Sequence, residues 1–177
     1  MKTLVLGGVR SGKSNYAEQL VLNSQLQAVY IATATAGDPE MADRILKHQQ
    51  QRGSHWQNIE EPVKLLDTLQ SSVNHKSYVL VDCLTLWLSN LLLIDYPESQ
   101  DKIVAIEKKI HGLCQLIKTL DGDVVFVSNE VGLGIVPMGE LSRQFCDLAG
   151  VLHQQLAAQC DRVILMVAGI PQIIKNE

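Results

Sequence analysis

The sequence predicts an α/β fold in which a mostly parallel central sheet is flanked by helices on both faces. Along the 177 residues, apolar runs rich in β-branched residues alternate with segments of helical period, an alternation typical of parallel sheets. Two of the runs, 78–81 and 124–127, lack polar alternation, as central strands buried on both sides do. No internal repeat or low-complexity linker interrupts the chain, so we expect a single domain over residues 1–177.

The period of the apolar residues places each element in turn. Strands are expected where apolar residues form short continuous runs, and helices where they recur every three or four positions. The first half is expected to contain strands near 3–6, 28–33, 56–59 and 78–82, and helices at 12–22, 39–52 and 62–71. The second half is expected to contain helices near 84–93, 100–119 and 139–159, and strands at 123–128 and 162–168. Residues 95–98, which include a proline, form the most loop-like connection.

Composition and charge argue against several classes of protein. The net charge is −4 and no run of Lys or Arg occurs, which disfavours nucleic-acid binding. The four cysteines are far apart, without a C-x-x-C pair, and are expected to be reduced thiols of a cytoplasmic protein rather than zinc ligands or disulfides. The longest uncharged apolar stretches, 83–94 and 163–174, are too short to span a bilayer. We expect both to be buried elements and predict no transmembrane helix.

Residues 7–14 match the phosphate-binding loop pattern G-x-x-x-x-G-K-[ST] directly after the apolar run 3–6. Glycines let successive backbone N–H groups point at phosphate oxygens, Lys13 can reach the β and γ phosphates, and the Ser14 hydroxyl can ligate Mg²⁺. The alternative is a glycine-rich turn that only caps a helix, but the position between a strand and a helix favours the phosphate loop. We therefore predict a nucleoside triphosphate site formed by Gly7, Gly8, Val9, Arg10, Ser11, Gly12, Lys13 and Ser14.

Two other strand ends carry candidate site residues. Asp82 ends a hydrophobic run, as expected of the acidic residue that holds Mg²⁺ through water in a phosphate-loop protein. The alternative is that Asp82 caps the helix beginning at Leu84, and the two roles are compatible. At the end of the second strand, the small residues Ala32, Thr33 and Ala34 would let a ligand approach closely, or form a plain transition from strand to loop.

The expected helix 39–52 carries a polar stripe, because Glu40, Arg44, His48 and Arg52 recur every four residues. The two guanidinium groups can bind triphosphate oxygens, and they disfavour a positive charge on His48, which keeps its imidazole nucleophilic. The alternative is a solvated helix face with an i,i+4 pair between Glu40 and Arg44. Periodicity by itself favours the solvated face.

Several segments, in this order and spacing, resemble one known family from the phosphate loop almost to the C-terminus. The family is the bifunctional adenosylcobinamide kinase/adenosylcobinamide-phosphate guanylyltransferase of coenzyme B12 synthesis. The segments that carry the resemblance are 7–14, Tyr30-Ile31-Ala32-Thr33-Ala34, Glu40-Met41-Ala42-Asp43-Arg44-Ile45-Leu46-Lys47-His48 through Arg52, and Ser128-Asn129-Glu130-Val131-Gly132-Leu133-Gly134-Ile135-Val136-Pro137.

The resemblance implies a RecA-like fold and two reactions. In the first, adenosylcobinamide is phosphorylated at its hydroxyl with ATP or GTP. In the second, GMP passes from GTP to the phosphorylated product through a guanylylated histidine, which corresponds to His48 here. The resemblance also implies a homotrimer, and it implies further nucleotide contacts at Gln49, Gln50, Gln51, Arg52, Glu60 and Asp82.

Two positions depart from the family pattern R-D-x-x-G-x-x-N-Q. The chain has Cys146 where the pattern has Arg and His153 where it has Asn. If the family uses these positions to contact the corrinoid or a neighbouring subunit, we expect substrate handling or assembly to differ here. The nucleotide chemistry does not depend on them.

Overall fold

A single sheet of seven strands organises the computed structural model, which describes residues 1–35, 55–95 and 101–177. The strand order is β3-β2-β4-β5-β1-β6-β7, and neighbouring strands are parallel except for the antiparallel pair β6–β7. The strands are β1 (Lys2–Gly7), β2 (Gln27–Ala32), β3 (Trp56–Glu60), β4 (Ser77–Asp82), β5 (Asp123–Asn129), β6 (Arg162–Val167) and β7 (Ile170–Asn176). The mostly parallel sheet expected from the sequence is confirmed.

Five α-helices lie in the described parts of the chain. They are α1 (Lys13–Leu22), α2 (Leu65–Ser72), α3 (Leu84–Asn90), α4 (Lys102–Thr119) and α5 (Glu140–Gln159), and α3 continues into a π-helical turn at Leu91–Asp95. The predicted helix 39–52 and most of the predicted loop 95–98 lie outside the described residues.

Both faces of the sheet are covered, because successive side chains of a strand point to opposite faces. In β4, Val79 and Val81 belong to the larger core, which the sheet forms with α2, α3, α4 and α5. Tyr78 and Leu80 belong to the smaller core on the other face, where α1 contributes Ala17 and Val21. A strand buried on both sides has no room for polar alternation, which explains the continuous apolar run. None of the described helices is long and apolar enough to cross a membrane.

The expectation of a buried element over 163–174 is wrong for its second half. The chain turns back at Ala168 and Gly169, both with positive φ (51° and 82°), and β7 then pairs antiparallel with β6 at the sheet edge. Residues 170–174 are exposed, including Ile170, Ile173 and Ile174. Pro171 is tolerated there because an edge strand need not donate from every backbone N–H.

The predicted helix 62–71 also begins later than expected, at Leu65. The Glu61 carboxylate accepts hydrogen bonds from the backbone N–H groups of Val63 (2.9 Å) and Lys64 (2.7 Å). These bonds fold the chain into a turn ahead of the helix.

Candidate functional site

The carboxyl ends of four parallel strands, β1 to β4, bring predicted site residues to one edge of the sheet. The register aligns Ala32 of β2 with Glu60 of β3 on one side and with Asp82 of β4 on the other. Gly7 of β1 aligns with Asn129 of β5. Ligands of open α/β sheets bind at this edge, so the phosphate loop and the other strand-end candidates share one location.

The phosphate loop turns sharply between Gly7, the last residue of β1, and Lys13, the first residue of α1. A side chain at Gly7 would place its Cβ 2.6 Å from the Met166 carbonyl oxygen and 2.6 Å from Ser11 Oγ. Gly12 has φ 95°, in the left-handed region that glycine adopts without strain. Both glycines are therefore required by the backbone path itself.

Backbone hydrogen bonds hold the loop from two distant parts of the chain. The Glu130 N–H, just after β5, donates to the Gly7 carbonyl oxygen (2.9 Å). The Gly169 N–H, in the β6–β7 turn, donates to the Ser11 carbonyl oxygen (3.0 Å). The β6–β7 hairpin that sequence periodicity missed thus supports the phosphate loop. The tip of the loop, Gly8, Val9 and Arg10, is exposed.

Lys13 is buried at the start of α1, and its ammonium donates a hydrogen bond to the Gly8 carbonyl oxygen (2.6 Å) across the loop. Burial lowers the pKa of Lys13, and the nearby Asp82 carboxylate partly offsets this effect. A desolvated cation facing the loop is suited to pair with phosphate oxygens, since charge interactions strengthen where water is excluded.

Asp82 is half-buried at the end of β4, and its Oδ2 accepts a hydrogen bond from the Tyr30 hydroxyl (2.8 Å). The N-cap residue of α3 is Cys83, and it makes no side-chain capping bond. The alternative role of Asp82 as a helix cap is therefore wrong. Its carboxylate lies on the same side of the sheet as the ammonium of Lys13, and its negative charge opposes the lowering of that ammonium's pKa by burial.

Thr33 is fully buried, and its side chain joins two strand ends. Its Oγ1 accepts the Cys83 N–H (2.9 Å) and donates to the Cys83 carbonyl oxygen (2.7 Å). The buried Asn90 of α3 donates to the carbonyl oxygens of Thr33 (2.8 Å) and Pro62 (3.1 Å). Ala32 and Ala34 are half-buried on either side, whereas Glu60 is exposed. Nucleotide contacts from these residues stay predictions.

The oxygen donors at the carboxyl ends of the strands fit a Mg²⁺ ion that is held largely by nucleotide phosphates. Asp82 supplies a carboxylate and the half-buried Ser14 supplies a hydroxyl, both hard oxygen donors. Within the described ranges, no three His, Cys, Asp or Glu side chains cluster closely enough to hold a metal by themselves. This is compatible with Mg²⁺, which retains water and phosphate ligands, and it does not resemble an all-protein metal cage.

A buried histidine near the loop was not predicted as a site residue. His153 of α5 makes a hydrogen bond through Nε2 with Ser128 Oγ of β5 (2.7 Å). Its Nδ1 lies 3.7 Å from Glu130 Oε2, and Glu130 Oε1 accepts the Gly132 N–H (2.6 Å). Burial lowers the pKa of His153, and the neighbouring Glu130 opposes this shift. The only sequence signal was the departure from the family pattern at this position.

Apolar side chains are exposed along the segment that follows Glu130. Leu133, Ile135, Val136 and Met138 are 84%, 97%, 73% and 98% exposed, respectively. Because the Glu130 N–H bonds to the Gly7 carbonyl oxygen, this segment starts beside the phosphate loop. Contiguous exposed apolar residues are typical of a surface that binds a ligand or another protein.

The cysteines are unpaired, and three of them are buried. All four are free thiols in the structure. Burial raises the pKa of Cys83 to about 11 and that of Cys160 to about 12, so both stay protonated near neutral pH.

The remaining predicted site residues lie outside the described residues. They are Arg44, His48, Gln49, Gln50, Gln51 and Arg52. The described chain continues three residues past the end of β2, to Thr35, and resumes at His55 just before β3.

Comparison with known proteins gives a match along nearly the whole chain. The family model described as cobinamide kinase / cobinamide phosphate guanyltransferase matches residues 3–174. The bifunctional adenosylcobalamin biosynthesis protein CobP of Pseudomonas aeruginosa is 49% identical over 177 residues, covering 100% of this chain and 99% of that protein. The corresponding protein CobU of Escherichia coli is 42% identical, covering 99% of this chain and 100% of that protein.

Two solved structures share the fold at low sequence identity. The RadB recombinase has a TM-score of 0.50 and 18% identity, over 93% of this chain and 73% of that one. A Pyrococcus horikoshii OT3 protein has a TM-score of 0.57 and 12% identity, over 99% of this chain and 86% of that one. At these identities the likeness shows the fold alone, and it confirms the predicted RecA-like phosphate-loop architecture.

Proposed function

The chain belongs to the cobinamide kinase / cobinamide phosphate guanyltransferase family. On this basis we propose that it catalyses two reactions and that different residues serve each of them. It phosphorylates adenosylcobinamide with ATP or GTP. It then transfers GMP from GTP to adenosylcobinamide phosphate through a guanylyl-histidine at His48, giving adenosylcobinamide-GDP and pyrophosphate. The main observation in support of this proposal is that the phosphate loop, Asp82 and Glu60 all lie at the carboxyl ends of the parallel strands.

In the kinase step, Gly7 to Ser14 bind the triphosphate. Backbone N–H groups of the loop and of the first turn of α1 orient the phosphate oxygens. The buried ammonium of Lys13 stabilises charge on the β and γ phosphates while the substrate hydroxyl attacks the γ phosphorus. The bond between the γ phosphorus and the β–γ bridging oxygen breaks, ADP or GDP leaves with the electron pair, and the hydroxyl proton is released to solvent. Ser14 and Asp82 would hold Mg²⁺, which neutralises phosphate charge when bound.

In the guanylyl transfer, a neutral imidazole nitrogen of His48 attacks the α phosphorus of GTP. A P–N bond forms, the bond between the α phosphorus and its bridging oxygen breaks, and pyrophosphate leaves with the electron pair. An oxygen of adenosylcobinamide phosphate then attacks the same phosphorus and releases the imidazole. Arg44 and Arg52 stabilise charge on the equatorial oxygens.

The other predicted contacts orient the nucleotide. The exposed Glu60 ends the strand next to β2, and its carboxylate is suited to accept hydrogen bonds from the N–H edge of guanine. Ala32, Thr33 and Ala34 form the adjacent strand end, and Gln49, Gln50 and Gln51 follow the proposed nucleophile in sequence.

We also propose that the chain acts as one domain in a cytoplasmic homotrimer. The four free thiols support a reducing compartment. The exposed apolar side chains of Leu133, Ile135, Val136 and Met138 supply a surface that assembly would cover. Sedimentation equilibrium of the purified protein would give the number of subunits.

The nucleophile is tested with GTP labelled at the α phosphate. His48→Asn is expected to abolish covalent labelling and guanylyl transfer while leaving nucleotide binding at the phosphate loop, because asparagine cannot form the P–N bond. The wild-type adduct is expected to be labile in acid and stable in alkali.

The control for this experiment is His55→Asn, which removes an exposed histidine close by in the sequence and should label normally. Label that persists in His48→Asn, or that maps to Lys47, would overturn the nucleophile. Complete absence of label in the wild type, with kinase activity retained, would instead indicate a kinase without a covalent nucleotide.

A further inference from the structure

The Asp82 carboxylate is held by a residue that the proposed reactions do not use. The Tyr30 hydroxyl donates to Asp82 Oδ2 at 2.8 Å. Within the ranges that the structure describes, the other carboxylate oxygen, Oδ1, accepts no hydrogen bond. Tyr30 lies two residues before the end of β2, in the strand that pairs directly with β4. Oδ2 of Asp82 is therefore hydrogen-bonded to the protein, and Oδ1 is available to a ligand.

Tyr30 is a rigid donor because its ring is fixed on several sides. The side chain is 2% exposed, and its ring meets the indole of Trp56 edge to face, with centroids 5.6 Å apart at 82°. Aromatic pairs prefer this geometry, and a tyrosine side chain has few torsions to order. The hydroxyl thus occupies one position at the carboxyl ends of the strands. Without its hydrogen bond, the half-buried side chain of Asp82 would be free to rotate.

The backbone of the same strand end is fixed by a second contact from β2. The Thr33 hydroxyl bonds both to the N–H and to the carbonyl oxygen of Cys83, the residue after Asp82. The Thr33 N–H donates to the Asp82 carbonyl oxygen (3.1 Å). Thr33 fixes the main chain around Asp82 and Tyr30 fixes its side chain, so β2 determines the full geometry of the carboxylate.

We propose that Tyr30 is a positioning residue that sets the affinity of the nucleotide-bound divalent cation through Asp82. The inference rests on the proposed metal role of Asp82. A carboxylate ligand binds a metal more tightly when a hydrogen bond to its other oxygen orients it, and loss of such a partner commonly weakens metal affinity by about 10- to 100-fold. Tyr30 contacts neither the nucleotide nor the metal in this proposal.

The test is Tyr30→Phe, which removes the hydroxyl and keeps the ring against Trp56. Mn²⁺ binding is measured by electron paramagnetic resonance with α,β-methylene-GTP, whose P–C–P linkage prevents transfer to a histidine, and Mg²⁺ is added as a competitor. We expect the Mn²⁺ affinity of the protein–nucleotide complex to fall by roughly 10-fold. Binding of the same nucleotide in the presence of a chelator should be unchanged.

The matched control is Tyr78→Phe. Tyr78 is also 2% exposed and belongs to the same core as Tyr30. It lies four residues before Asp82 in β4, about 13 Å along the strand, and so cannot reach the carboxylate. This variant should leave Mn²⁺ affinity at the wild-type value. An equal loss in both tyrosine variants would show a general effect of removing a buried hydroxyl and would overturn the proposal.

A double-mutant cycle with Asp82→Asn separates the inference from the proposed function. If Tyr30 acts through Asp82, Tyr30→Phe should cause no further loss of Mn²⁺ affinity in the Asp82→Asn background. If Asp82→Asn weakens the metal while Tyr30→Phe alone does not, the role of Tyr30 is wrong and the metal role of Asp82 stands. If Asp82→Asn itself has no effect, the proposed metal role fails, and the inference fails with it.

Discussion

At the scale of single residues, the phosphate loop depends on groups whose requirements are opposite. Lys13 needs a buried position to act strongly on phosphates, and its ammonium is satisfied there by the Gly8 carbonyl oxygen. Gly7 needs the absence of a side chain, because the Met166 carbonyl oxygen already occupies that space. Lys13 acts through its charge, whereas Gly7 is required because a side chain would not fit. We therefore expect substitution of Lys13 to lower activity and substitution of Gly7 to lower stability.

Lys13→Ala should lower the rate of phosphoryl transfer by roughly two to three orders of magnitude, because it removes a preorganised charge at the β and γ phosphates. Steady-state kinase assays with adenosylcobinamide would measure the loss. The control is Lys64→Ala, which removes an exposed lysine ahead of α2. A near-normal rate in Lys13→Ala would contradict the assigned role.

Gly7→Ala should destabilise the fold by about 1–3 kcal/mol, since the added Cβ must displace backbone atoms. Its neighbour provides the comparison, because a Cβ at Gly8 meets nothing within 4 Å. Urea titrations of Gly7→Ala and Gly8→Ala would give both free energies of unfolding. Equal stabilities in the two variants would show that the close approach at Gly7 is not a constraint.

At the scale of elements, α5 is joined to the end of β5 by the contact between His153 and Ser128. Burial lowers the pKa of His153, so the folded protein favours the neutral ring. The unfolded chain has the ordinary histidine pKa of about 6.5 and binds the proton more readily. This contribution to stability is full above that value and declines as the pH falls below it.

We therefore expect His153→Asn to flatten the fall in stability below about pH 6.5, because the titrating group is gone. The measurement is the free energy of unfolding of both proteins across this range. His75→Asn serves as the reference, since His75 is exposed. An identical pH slope in wild type and His153→Asn would exclude His153 as the responsible group.

Element types were largely predictable, because apolar period reports which face of a segment is buried. β7 was missed because its apolar residues continue the apolar run of β6, and the intervening turn at Ala168 and Gly169 carries only one glycine as a signal. Similarly, the shared edge of Gly7, Asp82 and Glu60 follows from parallel strands. The hydrogen bond between Tyr30 and Asp82 does not follow, since it joins residues 52 positions apart.

At the scale of the whole molecule, the order of the strands could not be obtained from the sequence. β1 lies between β5 and β6, so the first strand is inserted between two of the last. Such pairings depend on long-range packing, whereas periodicity describes only local environment. The family resemblance implied a RecA-like fold without specifying a strand order, and the full-length relatives confirm that family.

The insertion of β1 among the last strands has a consequence for how the protein matures. The phosphate loop receives hydrogen bonds from Glu130 and Gly169, which are synthesised long after Gly7 and Ser11. A nascent chain thus holds the complete loop sequence before these supports exist, and we expect it to form the proposed nucleotide site only after its C-terminal third has folded. A nucleotide that binds only the finished protein would stabilise it by mass action, by about 2.7 kcal/mol at a concentration 100 times the dissociation constant. We therefore expect nucleotide to favour completely folded chains over partially folded ones.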